Sequence, residues 1–199
     1  LRLRAAVAIA TALLAACGGG GSDTTPRATV TSVKVMGDSL ADSGTFGFKA
    51  TVQGSESKLY PERLAQSFGL AALCNFYAFT GATFVANPTV GCTNFAIGGG
   101  VINGAGRGFA ADDPRTINVQ LQTAVAGGNY GAGDLVVIDG GGNDAAVLVG
   151  AYLATAGGGA TQIAAYSTLL STVLDPAVVA TNLGAGASGF AAVGGLYMT

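Results

Sequence analysis

The chain has 199 residues, of which 50% are hydrophobic and 10% charged, and its formal net charge is −2. This composition excludes a chain that is disordered over most of its length, because disordered chains are poor in apolar residues and rich in charge. It also argues against a nucleic-acid partner, which requires a positively charged surface. The length is that of one ordinary domain with a sizeable core.

The first 17 residues have the form of a secretory signal. Two arginines precede an apolar run, residues 5–14, which is too short to span a bilayer. Small residues then lead to Cys17, an arrangement that resembles the lipobox of bacterial lipoproteins, in which the cysteine is lipidated and becomes the mature N-terminus. Because Gly18 follows the cysteine, the resemblance implies an exported outer-membrane lipoprotein. A plain signal peptide cut near this point, releasing the protein to the periplasm or cell surface, is the alternative. Residues 18–28 are polar and Gly/Ser-rich at their start, and they predict a flexible tether.

The first predicted strand leads directly into a candidate nucleophile. Residues 29–36 alternate and are rich in Val and Thr, which is typical of a strand. Gly37-Asp38-Ser39-Leu40 follows and predicts a serine on a strand-to-helix turn, at the carboxyl edge of a sheet, where open α/β folds bind ligands. The glycine lets a substrate approach the backbone closely. The alternative is an ordinary turn serine, with Asp38 and Ser39 capping the next helix.

The middle of the chain predicts a helix and a disulfide. The helix covers residues 60–69, with Pro61 at its first position and Gly69 past its end, the favoured placement of these two residues. The residues between Cys74 and Cys92 predict a loop. In an oxidising compartment these two cysteines are expected to form a disulfide, and two buried free thiols are the alternative. They are not metal-ligand candidates, because the chain has no second cysteine pair and no histidine.

A second strand and a helix are predicted next. Residues 94–97 form a short apolar strand that enters the glycine run 98–100. Residues 116–126 predict a helix that ends at a pair of glycines. Its apolar face is expected to be Ile117, Leu121 and Val125.

A third strand completes the pattern. Residues 135–139 include a continuous apolar run of the kind found in central parallel strands that are buried on both faces. They enter the glycine-rich loop 140–144, and two helices follow, over residues 145–155 and 162–174. We expect Asp144 to be the N-cap of the first of these helices. Strand, loop and helix in repetition predict an α/β fold.

Each of the three predicted strands ends in a loop that carries a candidate functional residue. The carboxyl ends of parallel strands meet at one edge of a sheet, so Ser39, Gly98 or Gly99, and Asn143 are expected to converge. Acyl transfer requires donors aimed at the oxygen that becomes negative in the transition state, and a glycine N–H and an asparagine amide are suitable donors. The alternatives are a tight turn at the glycines and a capping role for Asn143. The base that normally activates a serine is histidine, and the chain contains none.

These three blocks resemble the SGNH, or GDSL, hydrolase family. The GDSL block gives the family's serine nucleophile as Ser39, the block 94–99 (NFAIGG) gives its glycine donor as Gly99 with Gly98 possible, and the Gly-x-Asn-Asp block gives its side-chain donor as Asn143. The resemblance extends from residue 33 to about residue 155. It implies a three-layer α/β/α, flavodoxin-like parallel sheet and hydrolysis of ester bonds without cofactor or metal.

The chain departs from this family in its last block. The family's Asp-x-x-His is not in the sequence, so we expect residues 29–199 to be an incomplete SGNH hydrolase domain that lacks its C-terminal part and is itself essentially inactive. The substrate class implied is a small-molecule or lipid ester, as in carboxylesterases and lipases. Two alternatives stay open: a carbohydrate deacetylase, and a non-catalytic exported lipoprotein of the same fold that binds acyl or sugar ligands.

Overall fold

The structure, a computed structural model, describes residues 29–54, 56–128 and 130–199. The predicted signal, the lipidation site Cys17 and the tether lie outside these residues. The described chain is a mixed α/β protein with a small parallel sheet, which agrees with the predicted α/β class. Its elements in chain order are β1 (Ser32–Met36), α1 (Tyr60–Ser67), β2 (Tyr77–Phe79), β3 (Phe84–Ala86), a 3₁₀ turn (Ala105–Arg107), α2 (Ile117–Ala126), β4 (Asp134–Ile138), α3 (Gly142–Leu170), α4 (Pro176–Gly184) and α5 (Ala187–Tyr197).

Strand β1 is the buried centre of the sheet. It pairs in parallel with β4, with Val33 opposite Leu135 and Met36 opposite Ile138. Its apolar residues Val33, Val35 and Met36 are almost completely buried. Val33 and Val35 pack in one cluster with Ala65 of α1, and Met36 packs in another with Ile117 and Ala124 of α2.

The segment predicted as a strand over residues 94–97 lies along the other side of β1. Val35 N–H donates to the Thr93 carbonyl at 3.0 Å, and Phe95 N–H donates to the Val35 carbonyl at 2.7 Å. Only Asn94 forms a β-bridge there, so the segment is not a full strand. It has little room for a longer ladder, because the chain turns at the glycines that follow.

The expectation that residues 135–139 form a strand buried on both faces is wrong. Val136 of β4 is 37% exposed and Ile138 is 56% exposed, whereas Leu135 and Val137 pack against the core. Within the described residues β4 pairs only with β1. Alternate side chains of a strand face opposite sides, so a strand that is covered on one face leaves every second side chain open to solvent.

Helices α1 and α2 pack against β1 from its two sides. The predicted helix ends are close to those observed, and Gly69 adopts the positive φ of 71° that favours glycine after a helix. The predicted apolar face of α2 is partly wrong, since its buried residues are Ile117, Gln120 and Ala124 while Val125 is 44% exposed. The prediction missed that the polar side chain of Gln120 is buried on the inner face of α2. Its hydrogen-bond partners are described below.

The C-terminal third is a helical unit built on α3. In place of the two predicted helices the chain forms α3, a helix of 29 residues that is interrupted at Gly159, where φ is 62° and ψ is −155°. In a straight helix residues 152 and 166 would be about 21 Å apart along the axis. The rings of Tyr152 and Tyr166 are instead 6.0 Å apart, so α3 turns back on itself at the glycine. Its second half packs with α4 and α5 around buried Leu170, Val179 and Val193. By length and composition alone, α3 is also apolar enough to cross a membrane.

A disulfide and a small hairpin occupy the region predicted as a loop. Cys74 and Cys92 are bonded, as the sequence predicts. Between them β2 and β3 form an antiparallel pair, so the loop expectation is wrong for these residues. Aromatic side chains stabilise so short a pair, since the rings of Phe79 and Phe84 are 5.0 Å apart across the two strands.

Candidate functional site

Ser39 lies on a single turn directly after β1. Ala41 and Asp42 N–H groups donate to the Asp38 carbonyl, and the Asp38 carboxylate accepts the Leu40 N–H at 2.9 Å. The expected strand-to-helix turn is therefore a turn with no helix directly after it, and the Asp38 carboxylate stabilises that turn. Ser39 is partly exposed. Its hydroxyl makes no hydrogen bond to any residue that the structure describes, while its carbonyl accepts one from Thr51.

A buried glutamine holds the residue before this turn. Gly37 N–H donates to Gln120 Oε1 at 2.7 Å, and Gln120 Nε2 donates back to the Gly37 carbonyl at 3.1 Å. Gln120 also donates to the Pro114 carbonyl at 3.0 Å and is fully buried. Both polar groups of Gly37 are thereby satisfied away from water. This clamp fixes the end of β1, and with it the position of the turn that carries Ser39.

Asp42 connects the Ser39 turn to the glycine loop, and its contacts distinguish the two candidate donors, Gly98 and Gly99. Its Oδ1 accepts the N–H groups of Gly44 and Thr45, and its Oδ2 accepts the Gly98 N–H at 2.7 Å. The Gly98 N–H is thus occupied. Gly99 has a φ of 79°, and its N–H makes no hydrogen bond within the described part of the chain. Of the two glycines, Gly99 is the one with a donor left for a ligand.

The glycine loop also touches the Ser39 turn through Gly100. A Cβ placed on Gly100 would lie 2.6 Å from the Gly37 carbonyl oxygen and 3.3 Å from the Asp38 Cα. Real Cβ atoms do not approach backbone that closely, so only glycine permits this contact. The two loops therefore meet at their backbones.

Asn143 connects the third loop to the other two. The chain enters α3 through Gly141, whose φ of 94° favours glycine, and Asn143 lies in the first turn of the helix. Its Nδ2 donates to the Gly100 carbonyl at 2.8 Å and lies 3.5 Å from Asp38 Oδ2. An amide nitrogen carries two N–H groups; the Gly100 carbonyl accepts one of them, and Asp38 Oδ2 accepts the other in a long hydrogen bond. The structure thus brings Ser39, Gly99 and Asn143 into neighbouring, mutually bonded loops.

Asp144 does not cap α3, contrary to the expectation. The helix begins at Gly142, so Asp144 lies inside its first turn. Its carboxylate instead accepts the Ile102 N–H at 3.0 Å and the Asn103 N–H at 2.8 Å. The reason is that the chain after the glycine loop presents two free N–H groups to the start of α3. Asp144 fixes that chain segment against the helix.

Two carboxylates and a tyrosine lie at the ends of β1 and β4. Tyr60 OH donates to Asp139 Oδ2 at 2.7 Å, and the Asp38 N–H approaches Asp139 Oδ1 at 3.4 Å. Burial raises the pKa of Asp38, and the carboxylates of Asp139 and Asp144 raise it further, against the Leu40 N–H, which lowers it. Burial and the bond to Asp139 also raise the pKa of Tyr60. These groups make this edge of the sheet acidic.

The described residues include a candidate nucleophile and two candidate oxyanion donors, but none of them hydrogen-bonds to the Ser39 hydroxyl as a base would. The chain has no histidine, and among the described residues neither Asp38 nor Asp139 hydrogen-bonds to the Ser39 hydroxyl. No group of three or more potential metal ligands occurs in the described part of the chain. The arrangement can therefore hold and polarise a carbonyl group beside Ser39.

Three residues of the site were not found from the sequence. Gln120, Tyr60 and Asp139 reach the site only through tertiary contacts of α2, α1 and β4. One feature of the sequence could have identified Gln120: it stands three residues after Ile117, on the face of the helix that is predicted to be apolar. Asp139 closes an apolar strand, a common place for a ligand-facing residue.

No protein-family model matches the chain, and no curated protein sequence or solved structure matches it either.

Proposed function

We propose that the protein is an exported, lipid-anchored serine ester hydrolase of the SGNH type, with Ser39 as nucleophile. The observation that carries the proposal is the hydrogen bond from Asn143 to the Gly100 carbonyl. It joins the asparagine to the glycine loop, and Gly100 in turn lies against the residue before the Ser39 turn. The resemblance of three separate sequence blocks and the proximity of the same three blocks in space support each other.

The fold gives further support. Alternate residues of β1 face opposite sides of the sheet, and they pack with α1 on one side and α2 on the other. Packing of helices on both faces of a strand is compatible with a three-layer α/β/α protein, the type to which the proposed SGNH fold belongs. The described sheet has two strands and one bridged segment, so it would be the inner part of such a layer.

The proposed reaction is acyl transfer through Ser39. Its oxygen attacks the carbonyl carbon of an ester, and the carbonyl oxygen becomes negative as a tetrahedral intermediate forms. The Gly99 N–H would stabilise that oxygen, and so would the second N–H of Asn143 once the oxygen replaces Asp38 Oδ2 as its acceptor. Collapse of the intermediate releases the alcohol, and water then hydrolyses the acyl-serine. The base that takes the serine proton is proposed to be a histidine that these 199 residues do not contain.

The test compares the 199-residue chain with the longest chain that its gene encodes. With 4-nitrophenyl butyrate as substrate, we expect essentially no hydrolysis by the 199-residue chain and clear hydrolysis by a longer chain that carries an Asp-x-x-His block. Ser39→Ala should abolish the activity, while Ser67→Ala, at an exposed position of α1, should preserve it. A Ser39-dependent rate in the 199-residue chain that equals the rate of the longer chain would overturn the account of the base.

Asn143 has a prediction of its own in the active longer chain. Asn143→Ala should lower kcat by about 10²–10³-fold with little change in KM, because an oxyanion donor acts mainly in the transition state. Measurement of kcat and KM on the same ester tests it. A change confined to KM would show that Asn143 binds substrate and does not stabilise the oxyanion.

The Ser39 hydroxyl has no hydrogen-bond partner among the residues that the structure describes, and this favours a second candidate, a non-catalytic lipoprotein that binds acyl or sugar ligands. A longer gene product without an Asp-x-x-His block would support this candidate. If that block is present, comparing short-chain and long-chain nitrophenyl esters with acetylated sugars separates an esterase or lipase from a carbohydrate deacetylase.

A further inference from the structure

An aromatic cavity opens beside the candidate oxyanion donor. It has a volume of about 310 Å³ and includes the backbone of Gly98 and Gly99 in its lining. A benzene ring with one or two substituents fits within such a volume, which is at the lower end of small-molecule sites. The other lining residues are four phenylalanines, two arginines and an alanine, namely Phe46, Phe79, Phe84, Phe109, Arg107, Arg115 and Ala82.

Three of the phenylalanines form a fixed wall. Phe46 comes from the chain after the Ser39 turn, and its ring is 5.3 Å from the ring of Phe79 and 5.9 Å from that of Phe84. Phe46 also lies against Gly98, since a Cβ at that glycine would be 3.2 Å from the Phe46 ring. Tilted and edge-to-face contacts of this kind hold rings in place. The wall therefore presents aromatic surface to whatever reaches the Gly99 N–H.

The two arginines of the cavity differ in whether a described carboxylate forms a salt bridge with them. Arg115 binds the Asp113 carboxylate through two hydrogen bonds, so its charge is neutralised, and its guanidinium lies 3.8 Å from the centre of the Phe109 ring. Arg107 is exposed, forms no salt bridge to any described residue and lies 5.9 Å from the same ring. Arg115 thus positions Phe109 as a wall, and Arg107 keeps a full positive charge at the cavity.

The segment that carries Arg107 is held in place relative to the donors. Asn103 Oδ1 accepts the Gly106 N–H at 3.0 Å, and Asp144 binds the backbone of Ile102 and Asn103. The same Asp144 follows Asn143 in α3. The cation therefore has a defined position with respect to both candidate oxyanion donors.

We propose that this cavity is the substrate subsite for an aromatic group that bears an anionic substituent, with Arg107 binding the anion and the phenylalanine rings enclosing the ring. This inference rests on the proposed function for its claim that the ligand belongs to an ester, whose carbonyl would lie at Gly99. It names the substrate class as esters with a carboxylated aromatic group on one side of the ester bond. Aromatic walls favour a flat apolar body, and a free guanidinium favours a carboxylate.

Binding of a fragment tests the subsite without any hydrolysis. The probes are 4-methylbenzoate and 4-methylbenzamide, which have nearly the same shape and differ in charge at neutral pH. Titration into the ¹⁵N-labelled chain should shift the amide signals of Gly98 and Gly99. The acid should bind about two- to fivefold more tightly than the amide, the size expected for one partly exposed charge pair.

Variants separate the two parts of the subsite. Arg107→Met should reduce the preference for the acid to about onefold, whereas Arg63→Met, at an exposed cation of α1 outside the cavity, should leave it unchanged. Phe84→Ala should weaken the acid and the amide alike. Equal binding of acid and amide to the unaltered chain, no detectable binding, or shifts away from Gly98 and Gly99 would each overturn the proposal.

The outcome is distinguishable from a failure of the proposed function. If the probes bind as expected and the longer chain lacks Ser39-dependent hydrolysis, the subsite stands and the hydrolase assignment fails. If Ser39-dependent hydrolysis occurs and the probes do not bind, only the subsite is overturned.

Discussion

Gln120 shows how one buried side chain can determine the position of a functional turn. It is fully buried and satisfies the N–H and the carbonyl of Gly37 together with the carbonyl of Pro114. Gln120→Leu would fill a similar volume but remove the partner of the Gly37 N–H and the bond to the Pro114 carbonyl, while the Gly37 carbonyl would keep the Ile97 N–H. Because an unsatisfied buried polar group costs about 1–3 kcal/mol, we expect the free energy of unfolding to fall by about 2–4 kcal/mol.

Urea unfolding measures this change. The matched control is Gln122→Leu, an exposed position two residues further along α2, where surface substitutions usually change stability by about 0.5 kcal/mol or less. An equal loss of stability in the two variants would contradict the clamp.

The titration of Asp38 predicts a pH dependence of stability. Its pKa is raised from the ordinary value of 3.8, chiefly by burial, so the folded chain holds the proton more tightly than the unfolded chain. The stability from this group is therefore complete below pH 3.8 and is lost as the pH rises through the folded pKa. Asp38→Asn keeps an acceptor for the Leu40 N–H and removes the buried charge.

We therefore expect Asp38→Asn to become more stable relative to the unaltered chain as the pH is raised from below 3.8 to neutral. Urea unfolding of the two proteins at a series of pH values tests this expectation. Parallel curves with a constant gap would show that the Asp38 charge does not destabilise the folded chain.

At the residue scale the sequence predicts the groups that a motif carries and misses those that only the fold assembles. Ser39, Gly99 and Asn143 follow predicted strands, and parallel strand ends meet at one edge, so their convergence could be expected. The clamp by Gln120 joins residues 83 positions apart, and the contact of Tyr60 with Asp139 joins residues 79 positions apart. No local pattern encodes a pairing over such distances.

At the scale of elements, the disulfide closes the segment that carries the β2–β3 hairpin. Cys74 and Cys92 are 18 residues apart, and a loop of that length lowers the entropy of the unfolded chain by the equivalent of about 3 kcal/mol. The double variant Cys74→Ser/Cys92→Ser should lose about this much stability in urea unfolding. Alkylation before and after reduction should find both thiols protected until the chain is reduced. Two freely reactive thiols before reduction would contradict the bridge.

Two predictions were wrong for physical reasons: the loop at the β2–β3 hairpin and the burial of both faces of β4. Strands β2 and β3 have three residues each, too few for a periodic pattern to stand out, and their ring contacts stabilise them. The run 135–138 is apolar throughout, which indicates a strand, but its sequence does not determine how many neighbouring strands it has. Whether Val136 and Ile138 are exposed depends on what covers the second face of the sheet, and other parts of the chain decide that.

Over the whole molecule, charge is distributed unevenly between the sheet and the helical unit. Asp175 is the only charged residue between residues 145 and 199, and it caps α4 by accepting the Ala177 N–H at 2.7 Å. All the salt bridges of the described residues lie in the part that precedes α3. The helical unit is therefore held together by apolar packing around residues such as Tyr166 and Leu170.

The break at Gly159 has a consequence for how such a chain could pass through a translocation channel. Residues 145–170 are uncharged and exceed the roughly 20 that a bilayer-spanning helix needs, so in the proposed export they could stop in the membrane and fail to cross it. Three consecutive glycines, residues 157–159, lower the tendency of this segment to partition into lipid as one continuous helix.

Replacing the three glycines with leucine should therefore retain the protein in the inner membrane with α3 as a stop-transfer segment, whereas replacement with serine should allow passage. Membrane fractionation of the two variants distinguishes these results, and passage of the leucine variant would contradict the idea. Gly159, at which α3 turns back on itself in the folded chain, would then also keep residues 145–170 from inserting into the membrane as a spanning helix.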